Sequence, residues 1–130
     1  MPAVSSIVLD ASAVLAVANK EAGADVVLKA RSQAILSAVN HAEVVSKLVQ
    51  KNVAFEEVQI FVAEVFPRVI PFDLEQANAA GQLHAATRKN ELSYADCACI
   101  ALAAIRGIPL LTGDRKWLQV ETPVEIRLFR

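Results

Sequence analysis

Apolar residues along the chain follow two alternating patterns. Short runs rich in Val, Ile and Leu have the length of strands, and they cover residues 4–9, 34–37, 69–72, 108–111 and 124–129. Between them, apolar residues recur three or four positions apart, which predicts helices over 13–18, 21–31, 40–49, 54–66, 73–89 and 97–105. Strands that alternate with helices are typical of an α/β fold with a mainly parallel sheet. We therefore predict a central five-stranded sheet flanked by helices.

Two of the predicted strands have the character of edge strands. The run at 69–72 contains Pro71, which has no backbone amide to donate to a neighbouring strand. The run at 124–129 alternates apolar and polar residues, as strands with one solvated face do. Both are expected at the edges of the sheet.

Four acidic residues stand where strands end or helices begin. Asp10 and Asp114 each follow a predicted strand, Glu43 lies near the start of the helix after the second strand, and Asp96 precedes the wholly apolar segment 97–105. Because the carboxyl ends of parallel strands gather at one edge of a sheet, these carboxylates are predicted to face one cleft. Two carboxylates about 4 Å apart repel by on the order of 4 kcal/mol at an effective dielectric of 20, so a shared pocket needs a cation. Oxygen ligands without His or Cys select Mg²⁺ or Mn²⁺ over zinc or copper.

The same acids also have a purely structural interpretation. Residues 93–96 have the S-x-x-D pattern of a capping box, and residues 40–43 have the related N-x-x-E pattern. Asp10 and Asp114 can be N-caps of the helices that follow them. Taken singly, capping is favoured for Asp114, whereas for Asp96 capping and a site are equally good interpretations. A non-catalytic interaction module with capping acids is therefore an alternative to a metal site.

Two lysines follow Glu43 on its own helix. Lys47 and Lys51 come one and two turns later, roughly on the same face. The spacing of Glu43 and Lys47 is that of a favourable ion pair. For Glu43 alone, a surface cap with an ion pair is the favoured interpretation.

Composition and charge narrow the class of protein. The 130 residues are predicted to form one domain, 1–130, and a formal charge of −1 gives no overall nucleic-acid signal. The apolar share of 55% is high for a soluble domain, which suggests an apolar interface with a partner or a second copy. No apolar run approaches the roughly 20 residues that span a bilayer, and the first residues lack a basic n-region, so a cytoplasmic location without membrane contact is predicted. Cys97 and Cys99 are expected to be core residues, not disulfide partners.

Four segments together resemble the PIN-domain nucleases, and within them the VapC-type ribonuclease toxins. These segments read V-L-D-A-S, A-V-N-H-A-E, L-S-Y-A-D-C-A and L-L-T-G-D-R, and they begin at residues 8, 38, 92 and 110. The resemblance implies a PIN-like three-layer sandwich. It also implies that Asp10, Glu43, Asp96 and Asp114 are catalytic metal ligands for Mg²⁺ or Mn²⁺. Ser12, Asn40 and Thr112 match supporting polar groups of the family.

The resemblance also implies a reaction and partners. It implies an endoribonuclease that hydrolyses RNA to leave a 5′-phosphate and a 3′-hydroxyl, and that acts as the toxin of a type II toxin-antitoxin pair. A cognate antitoxin and a homodimer are then expected, with the helices over 40–49 and 54–66 as the first candidate interface. Phosphate contacts are predicted from Arg88, Lys89, Arg115 and Lys116. Arg115 and Lys116 occupy positions where related sequences often carry another acid.

Other classes remain open at this point. A PIN-domain RNA-processing nuclease without an antitoxin has the same motifs. A receiver-like signalling domain that binds Mg²⁺ normally has paired acids after its first strand, whereas Leu9-Asp10-Ala11 contains a single acid. The sequence leaves undetermined which RNA is cut, and whether one or two metal ions act.

Overall fold

A computed structural model describes residues 6–130 as alternating helices and strands. The strands are β1 (Ile7–Leu9), β2 (Ala34–Ser37), β3 (Val69–Ile70), β4 (Leu110–Thr112) and β5 (Ile126–Leu128). The helices are α1 (Ala11–Ala18), α2 (Ala24–Ala30), α3 (Ala38–Gln50), α4 (Phe55–Val65), α5 (Leu74–Ala86) and α6 (Tyr94–Arg106). Short 3₁₀ helices span Arg31–Gln33, Arg88–Asn90 and Arg115–Gln119. The start of the first predicted strand, at residues 4 and 5, lies outside the described residues.

The strands form one parallel sheet in the order β3-β2-β1-β4-β5. β3 and β5 are its edges, which confirms both edge predictions. Successive residues of a strand point to opposite faces. Leu9, Leu36 and Leu111 therefore join one apolar cluster, with α1 and α4 residues, while their neighbours Val8, Ile35 and Leu110 join a second cluster with α6. The predicted three-layer sandwich with a central five-stranded sheet is confirmed.

The structure shortens several predicted elements at their ends. The predicted helix over 73–89 ends at Ala86 and is followed by the 3₁₀ helix Arg88–Asn90. The strand predicted from residue 108 begins at Leu110, because the Ile108 amide still closes the end of α6 by donating to the Ala103 carbonyl. Gly107 makes this closure possible by adopting φ of +65°, a conformation that costs glycine little.

Three strand ends converge on one edge of the sheet. β1, β2 and β4 are adjacent, and β1 and β2 pass directly into α1 and α3. Helix α6 packs across the same sheet, and its first turn carries Asp96. Within residues 6–130, the structure contains no helix that is long and apolar enough to cross a membrane.

Candidate active site

Asp10 is the buried centre of this edge. It is the N-cap of α1, and its Oδ1 accepts hydrogen bonds from the Ala13 amide at 3.1 Å and the Ser12 hydroxyl at 2.6 Å. Its Oδ2 accepts a hydrogen bond from the Thr112 hydroxyl at 2.7 Å. The carboxylate is only 5% exposed. The N-cap interpretation is therefore correct for Asp10, and it accounts for only one of these three donors.

Ser12 and Thr112 connect Asp10 to the loop that carries Asp114. The Gly113 amide donates to Ser12 Oγ at 3.0 Å, and the Asp114 amide donates to Thr112 Oγ1 at 3.1 Å. Each hydroxyl thus donates to the carboxylate and accepts from the loop, which fixes the direction of both protons. Ser12 and Thr112 therefore both contact the Asp10 carboxylate directly.

Burial raises the pKa of Asp10 above its ordinary value of 3.8, and the negative charge of Asp96 raises it further. Hydrogen bonds from Ser12, Thr112 and the Ala13 amide act in the opposite direction. Desolvation is the largest of these influences, so the ionised carboxylate is destabilised where it stands. A positive charge near Asp10 would oppose both destabilising causes.

Asp96 both caps a helix and interacts with the buried site. Its Oδ2 accepts from the Ser93 amide at 3.0 Å, while its own amide donates to Ser93 Oγ at 3.1 Å. This is the predicted capping box. The same carboxylate is half-buried and close enough to Asp10 for its charge to act there. Capping and a place in the site, which the sequence made equally good interpretations of Asp96, are therefore compatible.

Asn40 fixes Glu43 to the start of α6. The Asn40 amide nitrogen Nδ2 donates to Glu43 Oε1 at 2.9 Å and to the Ala95 carbonyl at 3.1 Å. Since both partners are acceptors, the amide orientation follows from its surroundings. Asn40 is 1% exposed, and its Oδ1 has no hydrogen-bond partner among the described residues.

The predicted capping box at residues 40–43 is wrong. Helix α3 begins at Ala38 with Ser37 as its N-cap, because the Ser37 hydroxyl accepts from the Val39 amide at 3.2 Å. Asn40 therefore lies inside the helix, and Glu43 lies beyond its first turn. The predicted ion pair of Glu43 with Lys47 is absent from the part of the chain that the structure describes.

The charges of three of the four acids act on the buried Cys99 thiol, a relationship that the sequence did not suggest. Burial raises the pKa of its thiol well above 9.0, and the charges of Asp10, Asp96 and Glu43 raise it further. The thiol donates weakly to the Leu9 carbonyl at 3.7 Å. The one feature of the sequence that pointed to this relationship is the i, i+3 spacing of Asp96 and Cys99, which makes them neighbours on α6. As predicted, Cys97 and Cys99 are both free and buried.

Asp114 caps a short helix next to Asp10. Its Oδ1 accepts from the Lys116 amide at 3.1 Å, which makes it the N-cap of the 3₁₀ helix Arg115–Gln119. Its Oδ2 lies 3.7 Å from Lys116 Nζ, and both side chains are partly exposed. Asp114 is joined to Asp10 through Thr112. The capping interpretation that the sequence favoured for Asp114 is confirmed.

The acids match a hard cation in ligand type and only partly in position. Carboxylate oxygens are the ligands that Mg²⁺ and Mn²⁺ prefer. Within residues 6–130, however, no three His, Cys, Asp or Glu side chains are close enough to hold a metal ion together. Mg²⁺ commonly keeps several waters and uses one or two carboxylates. Asp10 and Asp96, whose charges interact, fit such a pair of ligands.

The predicted phosphate-contact residues are spread over exposed surface. Arg88 and Lys89 lie on the 3₁₀ helix before α6. Arg115 donates from Nη2 to the Arg130 carbonyl at 3.3 Å. Lys116 pairs with Asp114. Of these four residues, Lys116 is the one in direct contact with a predicted site acid.

The PIN domain family model matches residues 7–123, so the chain belongs to the PIN-domain family, a family of nucleases. The matched range includes all four acids and the hydroxyl groups around Asp10. No curated protein sequence matches the chain.

The fold is similar to that of several solved complexes. With the DNA-bound VapBC complex from Salmonella typhimurium, the TM-score is 0.75 at 19% sequence identity, over 96% of this chain and 98% of that chain. VapBC2 from Rickettsia felis, bound to a promoter DNA fragment, gives 0.73 at 16% identity, over 94% and 97% of the two chains. FitAcB from Neisseria gonorrhoeae gives 0.70 at 23% identity, over 92% and 95%. At these identities the likeness shows a shared fold.

Proposed function

We propose that this protein is a Mg²⁺- or Mn²⁺-dependent endoribonuclease whose reaction takes place beside Asp10. The observation that carries the proposal is the bridge by which Asn40 joins Glu43 to the carbonyl of Ala95, the residue before Asp96, at the edge of the sheet where Asp10 is buried. Three carboxylates in one partly buried region are costly without a counterion. A purely capping role gives no reason for two capping acids, Asp10 and Asp96, to be close enough for their charges to interact.

Asp10 and Asp96 would hold the metal ion, with Asp114 binding directly or through water. When bound, such an ion lowers the pKa of a water molecule and offsets charge on the phosphodiester. Ser12, Thr112 and the Ala13 amide hold the Asp10 carboxylate in one orientation and occupy three of its roughly four lone-pair positions, which would leave one position on Oδ2 for a metal ion. Asn40 holds Glu43, which we assign either to a second ion or to the positioning of the attacking water. Hydrolysis would leave a 5′-phosphate and a 3′-hydroxyl.

We further propose that the protein is the toxin of a toxin-antitoxin pair and forms a homodimer. Several solved proteins with this fold are described as VapBC or toxin-antitoxin complexes. An apolar surface supports a protein partner: Phe55 and Ile60 on α4 are 48% and 57% exposed. Beside them, Val17, Leu48 and Phe61 line a groove of about 370 Å³. A PIN-domain nuclease without an antitoxin remains the alternative.

The strand order counts against a receiver-like signalling domain. Such domains share the flavodoxin-like order 2-1-3-4-5. Here β1 is central and the order is β3-β2-β1-β4-β5. The sequence around Asp10 already lacked the paired acids of that class.

The direct test is cleavage of single-stranded RNA by the purified protein with Mg²⁺, Mn²⁺ or EDTA. We expect cleavage with either metal, none in EDTA, and loss of at least about a hundredfold in rate, equivalent to about 2.7 kcal/mol, for Asp10→Asn and Asp96→Asn. Asp73→Asn is the matched control, because Asp73 caps α5 in the same way, accepting from the Gln76 amide at 2.9 Å, but is exposed. Full activity of Asp96→Asn would overturn the proposal.

A second experiment separates the toxin from the alternative nuclease. Induced expression of the wild-type chain alone should arrest growth, and the Asp10→Asn variant should not. Co-expression with the protein encoded next to it should restore growth and yield a complex on purification. Growth without arrest, together with RNA cleavage in vitro, would favour a nuclease that needs no antitoxin.

A further inference from the structure

We infer that a groove between α1 and α3 binds the phosphate backbone of single-stranded RNA and leads it into the acidic site. The groove has a volume of about 490 Å³, and Ser12, Glu21, Lys47, Gln50, Lys51 and Arg130 are among its lining residues. We call it the basic groove. The inference rests on the proposed nuclease function, because it describes the path of that enzyme's substrate.

The basic groove is continuous with the candidate site through Ser12. The Ser12 hydroxyl donates to Asp10 at 2.6 Å, and the same side chain lines the groove. Glu43 and Lys47 are one turn apart on α3, so the helix leads from the acids to the groove lysines. Lys51 lies about 6 Å further along the helix axis than Lys47, at 1.5 Å per residue. The two lysines thus lie one and two turns beyond Glu43 along α3.

Two of the three cationic side chains that line the basic groove form no ion pair with any described residue. Among the described residues, Lys47 and Lys51 form no ion pair, and both are exposed. Arg130 Nη1 lies 3.0 Å from Glu21 Oε1, which is the groove's acid. A strand of RNA must approach carboxylates that repel it. Unpaired lysines beside those carboxylates offset the repulsion and raise the local concentration of a polyanion.

Arg130 is held in place at the mouth of the basic groove. Its guanidinium lies 5.0 Å from the centre of the Phe129 ring. A Cβ atom on residue 113 would lie 2.8 Å from Arg130 Nε, which is too close. Glycine at this position therefore lets the arginine side chain pack against the backbone without a shift. Gly113 also donates to Ser12 and precedes Asp114. Arg130 is therefore packed against Gly113, in the loop that carries Asp114.

The lining favours a nucleic-acid backbone over an acidic peptide. Leu15 is its one apolar member, with Asn19 completing a set that is otherwise polar or charged. Protein partners gain most of their affinity from buried apolar and aromatic anchors, and Leu15 is the only apolar residue that the basic groove presents to them. The apolar groove beside α4 is a separate surface. Phosphates need only fixed cations and donors.

Binding of fluorescein-labelled single-stranded RNA in EDTA, measured by fluorescence anisotropy, tests the inference without cleavage. The test variant is Lys47→Gln/Lys51→Gln. The matched control is Lys29→Gln/Arg106→Gln, which removes the same charge from exposed positions. These residues lie at the ends of α2 and α6, on the side of the sheet where β2 and β4 begin. We expect at least tenfold weaker binding for the test variant alone. The slope of log K against log salt should fall by about 1.4 for two lost phosphate contacts.

Two further arms decide between explanations. Lys47→Arg/Lys51→Arg should retain binding, because the charge is kept. Equal binding and equal salt slopes for the test and control variants would overturn the inference. Tighter binding of a poly-glutamate peptide than of RNA, lost in the test variant, would also overturn it and assign the groove to an acidic peptide. Circular dichroism and thermal melting establish that each variant is folded.

Failure of this inference and failure of the proposed function give different results. If the basic groove does not bind RNA, the test variant will cleave as well as the control, while Asp96→Asn remains inactive. If the protein is not a nuclease, no variant will cleave, but groove-dependent RNA binding in EDTA will persist. In the expected case, kcat/KM of the test variant falls by the same factor as its affinity.

Discussion

The Thr112 hydroxyl donates a 2.7 Å hydrogen bond to Asp10 Oδ2 across 102 positions of the chain. Both groups are buried, and the bond joins the ends of two adjacent strands, β1 and β4. A buried carboxylate with three donors is held in one orientation. This pair therefore fixes the acid on which the candidate site depends.

Replacing Thr112 by Val removes this donor while keeping the shape of the side chain. The buried carboxylate then loses one of its three donors, and the free energy of unfolding should fall by about 1–3 kcal/mol. Urea unfolding in metal-free buffer measures the change. Thr112→Ser keeps the hydroxyl and should lose less than half as much. No loss for Thr112→Val together with a clear loss for Thr112→Ser would mean that packing of the methyl group matters and the hydrogen bond does not.

The pH dependence of stability should reveal the raised pKa of Asp10. Because the pKa is raised from 3.8, the folded protein binds this proton more tightly than the unfolded chain does. The resulting stability is fully present below pH 3.8 and is lost as the pH rises through the raised pKa. Asp10→Asn lacks this titration.

The difference in unfolding free energy between wild type and Asp10→Asn, measured in EDTA over a pH series, should therefore move against the wild type as pH rises. Thr112→Val should extend this change to higher pH, because a hydrogen bond that lowers the pKa is removed. A difference that stays constant across the series would contradict the raised pKa.

Divalent metal should stabilise the wild-type protein through Asp10 and Asp96. An ion that binds only the folded state adds about 2.7 kcal/mol at a concentration one hundred times its Kd. Thermal melting with increasing Mg²⁺ should therefore raise the wild-type Tm. Asp73→Asn should behave like the wild type, whereas Asp10→Asn and Asp96→Asn should show little rise. A rise of equal size in all four proteins would place the ion at another site.

The exposed face of α4 should be required for the protein partner. Ile60→Glu adds a charge to a side chain that is 57% exposed, so folding should be retained and co-purification with the antitoxin lost. Phe61 is a poorer choice because it is half-buried and packs edge-to-face on Phe66 at 6.0 Å. Gln59→Glu adds the same charge one residue away, on a different side of the helix, and should leave the complex intact. Co-purification of Ile60→Glu would remove α4 from the interface.

Much of the architecture follows from local patterns. The strand at residues 34–37 was predicted with its observed bounds, because a short apolar run followed by a helix start allows few alternatives. Asp10, Asp96 and Asp114 cap helices as their positions suggested. The cap of α3 was misplaced, since Ser37 and Asn40 are both good capping residues and the local pattern cannot choose between them. Strand β2 ends at Ser37 and α3 begins at the next residue, so Ser37 occupies the capping position.

Local patterns were enough to predict the strands, most of the helices and the acids near their ends, because these depend on residues within a few positions of one another. Tertiary structure decided which of those acids meet. The order β3-β2-β1-β4-β5 brings β4 beside β1, so Thr112 reaches Asp10, and the packing of α3 on α6 brings Asn40 and Glu43 to the start of α6. Packing of both faces of the sheet selects that order, and it involves side chains far apart in the chain. No local pattern records such contacts, and the basic groove beside Ser12 was for that reason visible only in the folded protein.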